Sequence, residues 1–310
     1  MRLVFMGTPE FAIPSLEKIC SSNHQLVGVV TAPDSRSGRG RSVSESPVKQ
    51  FARQKSYPVL QPDNLSDPLF LDQLRAWKAR LYIVVGFRIL PHAVFSIPRM
   101  GCMNLHASLL PKYRGAAPIQ WAIIRGELET GVTTFMIREK VDTGDILLQR
   151  KTKIAESETG GELHDRLAQL GSEILIESIH LIENDRFQLK PQKGTPTTAP
   201  KLTQEIARIN WRCSAPEIHN LIRALSPKPG AYTFLGEKRL KILLSSVILN
   251  EVSAPGEIVI DRQNRLQVGT GRGMIVIQSC QIAGKGRLSI DEFLRGYRIE
   301  SGMRFNLIEG

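Results

Sequence analysis

Short apolar runs, LVFMG at 3–7, QLVGVVT at 25–31 and LYIVVGF at 81–87, alternate along the first half of the chain with helical periodicities such as Pro68 to Arg80. Runs of this length with little polar interruption suit strands covered on both faces, and strands separated by helices pair in parallel. The pattern predicts an α/β fold, a doubly wound, mainly parallel sheet over residues 1–183. A last helix is expected where Leu163, Leu167, Leu170, Ile174 and Leu181 recur at helical steps and form one apolar stripe. Residues 184–204 then turn to Pro, Thr, Gln and Lys, a composition that buries little and reads as a linker.

Beyond it, 205–310 is expected to form a second domain. SAPEIHNLIRAL opens with Ser214 and Glu217 at capping-box spacing and Pro216 in the first turn, so a helix starts there. The runs AYTFL, RLKILLSSVIL, GEIVI, RLQVG and GMIVIQSCQI follow, separated by Gly, Pro, Asn or charged turns. That number of strands in so short a stretch predicts a small OB-like β-barrel, a shape that often binds nucleic acid.

Charge sharpens that expectation. The 41 Lys and Arg against 30 Asp and Glu leave a net +11, which favours a polyanionic partner. Cys20, Cys102, Cys213 and Cys280 show no CxxC or Cys/His ligand spacing, so a reducing, cytoplasmic protein without metal is expected. MRLVFMGTPEF reads as strand and turn rather than a signal peptide, and no run approaches the ~20 apolar residues of a membrane span.

The chemistry concentrates in MNLHASLLPKYRGAAPIQ, residues 103–120. Alternate strand residues share a face, so Asn104 and His106 project together at a strand's carboxyl end, where open α/β sheets place their ligands. The strand VTTFMI and the turn in VDTGDIL then bring Asp142. Acyl transfer to an amine needs these types: an amide for the developing oxyanion, a group titrating near neutrality, and a carboxylate to orient it. No GxSxG nucleophile is present, so direct transfer is expected. Taken singly, each residue has a bland reading: Asp142 as a turn-former, His106 as a structural histidine.

Together, MNLHASLLPKYRGAAPIQWAII, ETGVTTFMI and VDTGDIL resemble the formyltransferases that use 10-formyltetrahydrofolate, and the whole chain resembles those acting on methionyl-tRNA. The resemblance extends through MGTPEFAIPSL, APKLTQEIARINW, IRALSPKPGAYT and GKGRLSIDEFLRG. It implies catalysis by Asn104, His106 and Asp142. It also implies a folate site at Ser108, Leu109, Leu110 and Pro111 with the turn at Gly86 and Phe87. The basic loop SRSGRGR, with Arg36, Arg39 and Arg41, would meet the acceptor stem of initiator methionyl-tRNA, and Lys201 would hold tRNA from the linker. The chain departs from the family's commoner pattern at VVGFRILP, with Arg88, and at Arg36. A monomer is expected.

Three rivals remain open at this level, one of them a non-catalytic RNA-binding protein, which would require Asn104, His106 and Asp142 to have no chemical role. A folate-dependent enzyme formylating a small amine would share the same triad, although it would need neither the basic loop nor the second domain. A nucleotide-dependent dehydrogenase would need a GxGxxG that MGTPEF lacks.

Overall fold

A computed structural model describes residues 1–37 and 42–308. The chain forms two compact units, neither of them one continuous stretch. The first comprises 1–118, 129–153 and 164–199, the second 119–128, 154–163 and 200–310.

The first unit is built on a seven-stranded sheet. Its order is Ile146–Lys153, Glu129–Met136, Cys102–His106, Leu81–Val85, Arg2–Gly7, Gln25–Val30 and Val59–Leu60. The last five are mutually parallel, and the first two form an antiparallel pair at one edge. The chain grows outward from Arg2–Gly7 in one direction and then returns to place Leu81–Val85 on its other side. That reversal of order opens a crevice beyond the strand ends. Leu81–Val85 is buried throughout, as a run without polar alternation requires.

On one face Val4, Met6, Tyr82 and Val84 pack with Phe70, Leu71 and Leu74 of the helix Pro68–Ala76. That helix starts where Asp67 accepts hydrogen bonds from the amides of Leu69 and Phe70, with Pro68 at its first position. The helix Gly160–Glu183 buries Leu163, Leu167, Ile174, Leu175, Ile179 and Ile182. Leu170 and Leu181 are only half-buried, so the expected stripe is rotated slightly. Towards its end the buried stripe runs through Leu175, Ile179 and Ile182, spaced by four and three residues. At Gly171 the helix lies so close to the His106 strand that a Cβ would stand 2.7 Å from a Leu105 methyl.

The second unit carries a six-stranded antiparallel sheet. Ala231–Leu235, Lys238–Ile248, Met274–Ile282, Leu266–Gly269 and Ile258–Ile260 follow one another across it, and Arg287–Ser289 pairs with Met274–Ile282. Its helix Ala215–Leu225 starts at the expected capping box of Ser214 and Glu217. A second box, Ser289 with Glu292, starts the helix Ile290–Gly296, a signal present in SIDE and missed in reading the sequence.

Trp211 is fully buried in this core, stacks on Phe305 at 5.4 Å and donates its indole N–H to Thr233. Truncating such a residue costs about 3–5 kcal/mol. Arg223 joins the neighbouring segments of the same unit by donating to the carbonyls of Ala155 and Glu158.

Candidate active site

Asn104 and His106 lie two residues apart on Cys102–His106, the strand beside Leu81–Val85, and so share a face. Asn104 is half-buried and His106 is 6% exposed. The imidazole Nε2 lies 2.8 Å from the carbonyl oxygen of Tyr113. A carbonyl can only accept, so Nε2 carries a proton, and a neutral ring presents the lone pair of Nδ1. Nδ1 stands 3.8 Å from Asp142 Oδ2, both side chains nearly buried. That gap is too long for a direct hydrogen bond, and two acceptors facing each other are joined only by an intervening donor or by a proton on Nδ1.

Asp142 is held by its turn. Its φ is +52°, a left-handed conformation that Asp tolerates better than most residues. Two positions on, a Cβ on Gly144 would fall 1.7 Å from the carbonyl oxygen of Met136, so only glycine lets the turn close against the strand. The Gly115 amide donates to Asp142 Oδ2 at 2.9 Å. Gly115 belongs to the short strand Arg114–Gly115, which pairs with Thr198–Ala199 of the segment expected to be a linker.

A cavity of about 100 Å³ opens here, with Asn104 and Asp142 in its wall. Val84, Phe87, Ile89, Leu90, Phe135 and Ile137 give it apolar walls suited to a flat heteroaromatic ring, while Arg88, Arg138, Glu139 and Lys140 add a charged side. Ile89, 72% exposed, and Val141, 48% exposed, also line it, so apolar surface is offered to whatever enters. Arg88 donates to the carbonyls of Asp63 and Pro62 and lies over the Phe87 ring at 5.3 Å, which ties down the turn after Gly86. Gly86 itself has φ +60°.

The family model for formyl transferase matches residues 1–179, and that for the formyl transferase C-terminal domain matches 201–298. The methionyl-tRNA formyltransferase of Alkaliphilus oremlandii is 44% identical over 305 residues, covering 97% of this chain and 98% of its own. That of Pelotomaculum thermopropionicum is 44% identical over 306 residues, covering 98% of both chains. The chain belongs to the methionyl-tRNA formyltransferase family. Among solved structures, the N-formyltransferase of Helicobacter canadensis superposes with a TM-score of 0.67 at 22% identity, over 89% of this chain and 98% of that one, a likeness of fold.

Within this family frame the structure brings Asn104, His106 and Asp142 to one place and sets Phe87 in the same cavity wall. The segment Ser108–Pro111 is mostly interior. Ser108 is fully buried and donates to the Lys112 carbonyl, Leu110 and Pro111 are buried, and Leu109 is half-buried. Thr133 fixes the segment, donating to the Ser108 carbonyl at 2.6 Å and facing the Leu110 amide at 3.3 Å, while Gln149 donates to the Leu110 carbonyl. Any contact of Ser108 with a ligand therefore passes through its neighbours.

Of the basic loop, Arg39 and Arg41 lie outside the described residues, as does the side chain of Arg36, whose backbone pairs Ser35–Ser37 with Ser42–Ser44. Lys201 is exposed in the second unit. Among the described residues no group of His, Cys, Asp and Glu is placed to hold a metal, and no helix is long and apolar enough to cross a membrane. Sequence reasoning missed Tyr113, Gly115, Thr133, Gln149 and Gln192. Apart from the Tyr113 carbonyl, seven positions from His106, they act through contacts distant in sequence, and only the Arg-Gly pair after Tyr113 hinted at an unusual turn.

Proposed function

We propose that this chain transfers the formyl group of 10-formyltetrahydrofolate to the free amino group of methionine on charged initiator tRNA, for use in translation initiation. The observation that carries this reading is Asn104 and Asp142 in the wall of one cavity, with His106 3.8 Å from the Asp142 carboxylate. The folate fits that cavity's chemistry through Phe87, Leu90 and Ile137, with the turn at Gly86 and the segment Ser108–Pro111 beside it, and it supplies an activated formyl carbon. Asn104 donates its amide to the carbonyl oxygen as negative charge develops there. His106 and Asp142 together take the proton lost by the attacking amine and return one to the leaving nitrogen. The Tyr113 carbonyl keeps the imidazole in the orientation that turns Nδ1 towards Asp142.

Identity of 44% along nearly the whole chain to proteins named methionyl-tRNA formyltransferase supports the tRNA substrate. The more distant Helicobacter canadensis enzyme was solved with folinic acid and dTDP-3-aminofucose, which supports a folate in this fold and marks the small-amine alternative. On our reading residues 1–183 do the chemistry, 184–204 join the two parts, and 205–310 bind tRNA along its backbone together with Lys201, Arg36, Arg39 and Arg41. Incubation with 10-formyltetrahydrofolate and charged initiator tRNA should yield N-formylmethionine. No turnover there, with turnover on a small amine, would overturn the tRNA reading.

A further inference from the structure

We propose that Gln192, oriented by Arg114, is a positioning residue for Asp142, so that the segment after residue 183 completes the active site rather than only joining two domains. Gln192 is half-buried between exposed neighbours, Pro191 and Lys193. Its Nε2 donates to the carbonyl oxygens of Asp142 and Gly144, both at 2.9 Å. Its Oε1 accepts from Arg114 Nε at 3.2 Å and Nη2 at 2.6 Å. An arginine has only donors, so the guanidinium decides which end of the amide is oxygen and leaves both amide hydrogens for the two carbonyls. A charged donor makes this orientation stronger than a neutral one would.

The two carbonyls belong to the turn that holds Asp142 at a positive φ, a conformation that persists only where its surroundings enforce it. Arg114 fixes the Asp142 backbone through Gln192, and the next residue, Gly115, fixes the Asp142 carboxylate directly. Both ends of Asp142 are thus referred to one short strand, itself paired with Thr198–Ala199. Among the described residues the polar partners of the His106 ring are the Tyr113 carbonyl and the Asp142 carboxylate, and Gln192 is not one of them. Its effect on catalysis is therefore on the position of Asp142, across a gap that is already 3.8 Å.

This inference rests on the role of Asp142 in formyl transfer, and the test separates the two. Steady-state kinetics are measured for Gln192→Leu, Gln192→Glu, Asp142→Asn and the double variant Gln192→Leu/Asp142→Asn, with thermal midpoints for all. Gln192→Glu keeps the shape and the Arg114 partner but turns an acceptor towards the two carbonyls. Both Gln192 variants should lose about 10- to 100-fold in kcat, the scale of a small misplacement in an active site, with the KM for tRNA and folate nearly unchanged. In the Asp142→Asn background the Gln192→Leu loss should shrink to about 2-fold or less, because its route of action is already gone. Wild-type kcat in both Gln192 variants, or a loss that multiplies fully with that of Asp142→Asn, overturns the inference alone. Wild-type turnover in Asp142→Asn overturns the catalytic reading of Asp142 and this inference with it.

Discussion

Nδ1 of His106 stops 3.8 Å from Oδ2 of Asp142, while Nε2 of the same ring is committed to the Tyr113 carbonyl at 2.8 Å. The imidazole is thereby oriented by a backbone group and left with one nitrogen for chemistry. His106→Ala and Asp142→Asn should each lower turnover by roughly 10² or more with folding intact, as groups acting in the transition state do. Near-normal turnover in either removes that residue from the mechanism. Asn104→Ala should cost about 10² to 10³ in kcat with folate binding little changed. A matching loss in binding would make Asn104 a residue that only seats the folate.

Gly115 combines a φ of +123° with a backbone in the way of any side chain: a Cβ there would meet the Ala199 carbonyl oxygen at 2.7 Å. Gly115→Ala should displace the amide that bonds Asp142 and lower kcat by about 10-fold or more. Full activity in a well-folded Gly115→Ala protein would mean that this amide does not set the carboxylate.

Thr133 satisfies the Ser108 carbonyl and the Leu110 amide, and accepts from Gln149 at 2.9 Å. Thr133→Val keeps the shape and strips all three partners, for a predicted destabilisation of about 1–3 kcal/mol in denaturant unfolding. Because the affected loop is the one assigned to folate, the apparent folate KM should rise as well. An unchanged KM would detach the Ser108–Pro111 segment from that site.

Burial, and after it the charge of Arg223, hold the His219 pKa below its ordinary 6.5, with Glu156 opposing. A depressed histidine is neutral in the folded protein at pH values where the unfolded chain already binds a proton. Its contribution is complete above pH 6.5 and is lost as pH falls through the folded value. Thermal stability should fall from pH 8 towards pH 5, and His219→Gln, still able to face Ser245, should fall less. Parallel curves would assign the acid sensitivity to other groups.

Arg36, Arg39 and Arg41 are expected to act through phosphates. Neutralising each should raise the KM for charged tRNA and flatten its salt dependence, because fewer counterions are released. Arg39→Ala should also lower turnover, and Arg36→Ala should be the mildest. Wild-type kinetics and salt slope in all three would leave the acceptor stem to be held elsewhere.

Much of this protein is settled locally. The runs at 3–7, 25–31 and 81–87 are apolar without alternation, and such chains become buried parallel strands almost wherever they are placed. Ser214 with Glu217 starts a helix through contacts within one turn, and the two-residue period of a strand puts Asn104 beside His106 without further information. What only the tertiary structure decided is the support of those groups. Gln192 reaches the Asp142 carbonyl across 50 positions, and the Tyr113 amide meets Thr197 across 84. A single polar residue in a Pro- and Thr-rich stretch carries no periodic signal, because its partner is set by where the folded backbone leaves carbonyls and amides to be satisfied. The side chains proposed to do the chemistry are legible in strand periodicity and turn composition; the backbone groups and amides that hold them come into existence only when distant segments close on one another.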